Sequence, residues 1–116
     1  MSTASQEKDG CQGCHNKFEN CEHFINAFAF IGKKWNGLII SSLCSFTPMR
    51  FKDLANAVHA CSDRVLVERL KELEELKIVK RSVSDSGIIT YKLTKKGAEL
   101  KPVFDQVHEW ADRWEV

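Results

Sequence analysis

The feature that most constrains this chain is a change of hydrophobic period between Arg50 and Leu93. The stretch "RFKDLANAV" places Phe51, Leu54, Ala55 and Val58 at i, i+3, i+4 and i+7, one face of a helix. A short link, "HAC", leads to Ser62, a good N-cap, and then to "DRVLVERLKELEELK" with Leu66, Leu70 and Leu73 on its inward side. The pattern then turns β-branched, in "IVKRSVS" and "IITYKL" flanking "DSG", which reads as a short hairpin. Two short helices joined by a tight turn, the second amphipathic and arginine-bearing, form a helix-turn-helix, and a hairpin directly after it is the winged variant. The fold expected is mainly α with a β-hairpin wing, an α+β winged helix-turn-helix.

The flanks complete the plan. Residues 1–19 are polar and contain two cysteines, and they read as a flexible arm; residues 20–116 read as one winged-helix DNA-binding and dimerisation domain. Asn20 is the expected N-cap of an apolar helix, "CEHFINAFAFI", closed by Gly32 and two lysines. "KWNGLIISSLC" places Trp35, Leu38, Ile39, Ser42 and Leu43 on one helical face, and "SFTPM" is expected to be a loop. Thr94 caps a last helix whose apolar set is Leu100, Val103, Phe104, Val107, Trp110, Ala111 and Trp114, with a kink or break expected at Pro102. That seam has more apolar surface than one small domain can cover. With Phe24 and Phe28 of the first helix, residues Leu100, Phe104, Val107, Trp110 and Trp114 are the expected homodimer interface.

Charge separates along the chain. Residues 33–101 hold 14 Lys or Arg against 8 Asp or Glu, whereas the segments on either side are mildly acidic. A basic middle suits a polyanion. An α-helix fits the major groove of B-DNA with its N-terminal side chains at base edges. Those side chains are Ser62, Asp63, Arg64, Val67 and Glu68, with Lys71 further along; Arg50 and Lys52 at the start of the preceding helix join them. The hairpin tip, with Ser84 and Ser86, is small enough to lie against a phosphate backbone or minor groove, and Arg81 and Lys92 flank it. Taken alone, "ERLKELEELK" reads equally as a solvated, salt-bridged helix face. The ordered series of elements carries the DNA reading. No catalytic Ser/His/Asp set, phosphate loop or paired acid stands out, so no enzyme and no cofactor is expected. No run approaches the roughly 18 apolar residues of a membrane span, and the start "MSTASQEKDG" lacks a signal peptide's apolar core, so a cytoplasmic protein is expected.

"CEHFINAFAFIGKKWNGLIISSL", "MRFKDLANAV", "SDRVLVERLKELEELKIVKR", "YKLTKKGAEL" and "VFDQVHEWAD" together resemble the HxlR family of winged-helix transcriptional regulators, which are similar to MarR-type regulators. The resemblance runs from Cys21 to about Trp114. It implies a homodimer built from the N- and C-terminal helices on double-stranded DNA, each helix-and-wing pair entering one half-site of a palindromic operator. It also implies a cysteine at the start of the first helix, eleven residues before the glycine of "GKKW", which here is Cys21. In several family members that cysteine senses oxidants or electrophiles, which makes such a compound the expected inducer of a repressor. The hairpin here is shorter than the family's usual one and lacks its proline. Cys11 and Cys14 lie in an arm that the family pattern does not cover.

Five cysteines in a chain without an export signal point to thiols rather than a disulfide framework. As first residue of its helix, Cys21 would sit at the positive end of the helix dipole, which favours thiolate, though packing of a helix start is the plainer use. Cys11, Cys14 and His15 spell a haem-attachment string that needs export from the cytosol. The readings left open are a redox pair in which Cys11 or Cys14 resolves an oxidised Cys21, idle thiols, and zinc held by Cys11, Cys14, Cys21 and either His15 or His23. A small-ligand regulator with inert cysteines and a zinc-containing protein-interaction module are the competing functions. Cys44 and Cys61 read as core filling, His59 and His108 as surface residues, and Trp35 and Trp110 as packing residues.

Overall fold

The computed structural model describes residues 21–116, which run α1 (Glu22–Ile31), α2 (Asn36–Ser45), β1 (Met49–Arg50), α3 (Phe51–Ala57), α4 (Asp63–Glu75), β2 (Val79–Val83), β3 (Ile89–Leu93), α5 (Lys95–Ala98) and α6 (Lys101–Trp114). Two units divide at Lys33 and Lys34, with α1 in the first and every later element in the second. The expected arm, Cys11, Cys14 and the Asn20 cap lie outside the described residues.

In the second unit the helix-turn-helix is α3 and α4. Leu54 and Val58 of α3 and Leu66, Leu70 and Leu73 of α4 are buried, as their spacing requires. Ser62 caps α4 by accepting the Val65 N–H at 3.2 Å. Against them packs α2, through Asn36, Ile39, Ile40 and Leu43. The buried face of α2 differs in part from the expected one: Ile39 and Leu43 are shared, and Asn36 and Ile40 replace Trp35, Leu38 and Ser42. Trp35 stands before the helix in the left-handed region (φ 81°), the helix opens at Asn36, and Leu38 is left exposed. The helix start at Asn36 buries Ile40 where Leu38 was expected.

The hairpin pairs Val79 with Leu93, Arg81 with Tyr91 and Val83 with Ile89, and β1 adds to the far edge of β3, giving the order β1-β3-β2. Strand β1 takes Met49 from the end of the expected loop and Arg50 from the start of the expected helix; two residues are too short to show alternation. At the hairpin turn Gly87 has φ 86°, a conformation that suits glycine. After β3, Thr94 Oγ1 accepts the Gly97 N–H at 3.1 Å and donates to the Lys77 carbonyl at 2.5 Å. Gly97 sits so close to the Ile78 carbonyl oxygen that a Cβ there would collide with it, which gives the glycine of "TKKG" a packing reason. The helix begun by Thr94 breaks after Ala98 and resumes at Lys101, with Pro102 in the first turn of α6, where its missing N–H costs nothing. Among the described residues no helix is long and apolar enough to cross a membrane.

Candidate functional site

The exposed side of α4 follows from the same periodicity that buries its leucines. Arg64 and Glu68 face solvent one turn apart, with Arg64 Nε 3.9 Å from Glu68 Oε2. Such an exposed pair contributes little to stability and leaves the guanidinium available. Asp63, Val67 and Lys71 are also exposed. The Ser62 hydroxyl is committed to its cap.

Hairpin register decides where the wing's cations point. Arg81 pairs with Tyr91, and both line a cleft of about 390 Å³ with Val67, Leu70, Lys71 and Glu74 of α4. Lys92 is the residue after Tyr91, so it takes the opposite face of the hairpin, directly across from Lys80. Arg50, in register with Thr90, belongs to that second face. The structure thus brings Lys71 and Arg81 to one cleft, with Arg64 further along the exposed stripe of α4, and sets Lys92 and Arg50 on the other face of the hairpin. Arg81 and Lys92, the expected flanks of the tip, stand on different faces of the hairpin because side chains alternate along β3. Lys52 is exposed on α3. At the tip, the Ser84 and Ser86 hydroxyls are 3.0 Å apart and Ser84 Oγ accepts the Ile88 N–H at 3.0 Å, so this small polar turn is internally ordered.

In the first unit, Cys21 is itself the N-cap of α1 rather than its first helical residue. Its backbone is extended (φ −82°, ψ 100°), and its Sγ accepts the Phe24 N–H at 3.4 Å. Phe24 and Phe28 stack at a tilt, centroids 4.9 Å apart, and both are exposed. The other described thiols are structural. Cys61 is buried before α4, and burial pushes its thiol up. Cys44 on α2 is half-buried near Lys101 and Asp105, and there too burial pushes the thiol up. His108 is exposed, as expected, with Nε2 3.3 Å from the Ser41 hydroxyl of α2. Among the described residues no three His, Cys, Asp or Glu side chains gather as metal ligands.

Helix α6 leaves Val103, Val107, Trp110 and Trp114 exposed. Trp110 is therefore not a core residue. Phe104 is the reverse case: it is only 8% exposed, packed beside Gly37 of α2, so it supports α6 from beneath and is withdrawn from the expected interface set. Leu100 is half-buried at the break between α5 and α6.

The HxlR-like helix-turn-helix family matches residues 30–116. The chain belongs to that family. Among its relatives, the HTH-type transcriptional regulator YodB of Bacillus subtilis (strain 168) is 42% identical over 96 residues, covering 81% of this chain and 85% of YodB. The reduced form of YodB superposes with a TM-score of 0.74 at 41% identity, over 82% of this chain and 94% of that one. The quinone-bound form superposes at 0.71 and 42% identity, over 81% and 99%. This HxlR-like chain is accordingly a winged helix-turn-helix transcriptional regulator that binds DNA, a role distinct from that of an enzyme.

Two features of the HxlR-like site escaped sequence reading. Tyr91 and Leu70, which floor the cleft between α4 and the wing, look in sequence like ordinary core residues. Lys80 joins Lys92 only once the hairpin register is known. Counting residues outward from the "DSG" turn would have found that register.

Proposed function

We propose that this regulator is a homodimeric repressor that binds a palindromic operator and releases it when Cys21 is modified by an oxidant or electrophile. The observation that carries the switch is the placement of Cys21: its sulfur is the capping acceptor of α1, so chemistry at the thiol acts directly on a helix start. YodB, solved in reduced and quinone-bound forms, supports thiol-directed compounds as the inducer class. The exposed row Arg64, Val67 and Lys71, with Arg81 across the cleft, supports entry of α4 into the major groove and contact of the wing with the backbone. Lys52 and the Ser84–Ser86 tip extend the phosphate contacts. The exposed apolar faces of α1 and α6 each supply surface for a second copy. A cytoplasmic site of action follows from the need to reach DNA. Resolution of an oxidised Cys21 by Cys11 or Cys14 is one of three roles open to that pair, beside zinc ligation and idle thiols.

The test is binding to the DNA upstream of the protein's own gene, with and without diamide, a quinone or hypochlorite, while metal and thiols are quantified. Salt-sensitive, sequence-specific binding that oxidant abolishes and dithiothreitol restores after diamide is the expected result. Stoichiometric zinc with no salt-sensitive DNA binding would replace this reading with a protein-interaction module.

A further inference from the structure

We infer that Val67 is a specificity-determining residue that reads the C5-methyl group of one thymine in each half-site, an inference that rests on the DNA reading above. Helix α4 sorts its apolar residues sharply. Leu66, Leu70 and Leu73 are at most 2% exposed, whereas Val67, in the same helix, is 41% exposed. A β-branched residue in the middle of an exposed helix face is a weaker helix former than Ala, Lys or Glu, and its methyl groups gain nothing from water. Within the unit, Val67 contributes an apolar patch to the mouth of the cleft it shares with Leu70, Lys71, Glu74, Arg81 and Tyr91.

Its neighbours say what kind of surface comes to meet it. Arg64 is three residues before it and Lys71 four after, so a cation lies on either side along the same helix stripe, and Arg81 faces it across the cleft. Glu68 beside Arg64 and Glu74 in the cleft offset part of that charge, but all of these groups are ionic, and a purely apolar partner would have to desolvate them, whereas the DNA reading supplies a polar, anionic surface. The occupant must therefore present an apolar group inside an anionic surface. In the major groove of B-DNA the base edges offer mostly hydrogen-bond donors and acceptors, and the thymine C5-methyl is the one apolar group that projects from them. A valine held between two cations on a groove-entering helix fits that group. Arg64 and Lys71 are left to phosphates and purine edges.

The experiment uses the full chain under reducing conditions and duplexes from the region upstream of its own gene. The protected site is first located, and each thymine in it is then replaced singly by deoxyuridine, which removes only the methyl group. For the unsubstituted protein, one replacement per half-site should weaken binding about fourfold, the worth of one buried methyl group. Val67→Ala should bind the thymine and uracil duplexes equally, and Val67→Thr, which keeps one methyl, should fall between. Melting curves matching the parent's show that the variants fold. The inference is overturned if specific binding ignores every thymine-to-uracil change, or if Val67→Ala keeps the full discrimination, which would assign it to DNA shape. Binding with no sequence preference at all would overturn the DNA-regulator reading together with it.

Discussion

The sulfur of Cys21 accepts the backbone N–H of Phe24 at 3.4 Å, so one atom is both the thiol and the cap of α1. A helix start leaves four N–H groups without intrahelical partners, and a cap residue answers one of them. Adding a group to the sulfur, or drawing it into a disulfide, alters that acceptor. The helix it caps carries exposed Phe24, Ile25 and Phe28, so order in the first turn sets the presentation of an apolar face.

Capping and reactivity separate in two variants. Cys21→Ser retains an acceptor of a kind that helix starts prefer, so the protein should bind DNA and no longer respond to diamide. Cys21→Ala removes the acceptor and should cost less than the roughly 1 kcal/mol of an oxygen cap, because sulfur accepts weakly. Thermal unfolding and operator binding, each with and without diamide, read the two effects. If Cys21→Ser still releases DNA under diamide while the Cys11, Cys14 double substitution does not, the switch belongs to the arm.

Arg64 on α4 and Arg81 on the wing have different tasks. Arg64→Ala should cost roughly 1 to 3 kcal/mol on the cognate site and relax preference at one position. Arg81→Ala should weaken binding on every sequence and lower the salt slope by about one. Lys92→Ala, on the other face of the hairpin, should do less than Arg81→Ala. Binding isotherms on operator and random DNA at several salt concentrations decide. Equal losses of Arg64→Ala on both would remove base reading from Arg64.

The pH dependence of the structural thiols follows from burial. Cys44 and Cys61 both have thiols pushed up, chiefly by desolvation. Each therefore stays protonated to higher pH folded than unfolded. The stability tied to that difference is fully present below the ordinary thiol range and is lost as pH rises through the folded value. Iodoacetamide should label both slowly in the folded protein at neutral pH and faster in alkali, with Cys61 the slower because it is buried. Mass spectrometry of timed digests measures this. Rapid neutral labelling of Cys61 would show that the segment before α4 opens.

Legibility in the sequence tracked how strongly local chemistry was tied to burial. Ser62 with Leu66, Leu70 and Leu73 gave both the start and the face of α4, because cap and period agreed. The break near Pro102 was readable because proline allows few backbone states. The face of α2 was legible only in part: Ile39 and Leu43 are buried as expected, but with Leu38, Ile39 and Ile40 consecutive, local sequence does not say which of Leu38 and Ile40 turns inward. Phe104 and Trp110 share one seam in sequence, yet one fills the space beside Gly37 and the other faces out. Within the candidate site, the members on α4 were legible, while the separation of Arg81 from Lys92 depended on strand register.

That contrast within α6 gives the last prediction. Val107 is 54% and Trp114 65% exposed, so neither supports the fold of the second unit. Val107→Asp or Trp114→Glu places a charge on the apolar face without opening the core, and the variants should melt near the parent. In a homodimer the same charges would have to be desolvated against the partner, so both variants should sediment as monomers. Operator affinity should fall steeply, because each half-site then binds alone and the gain from linking two modules is lost. Phe104→Ala is the internal control: it empties packed space beside Gly37 and should cost about 3 to 5 kcal/mol of stability, whatever the assembly state. Analytical ultracentrifugation at micromolar concentration separates the cases. A parent protein that sediments as a monomer there would rule out the α6 face as a dimer interface.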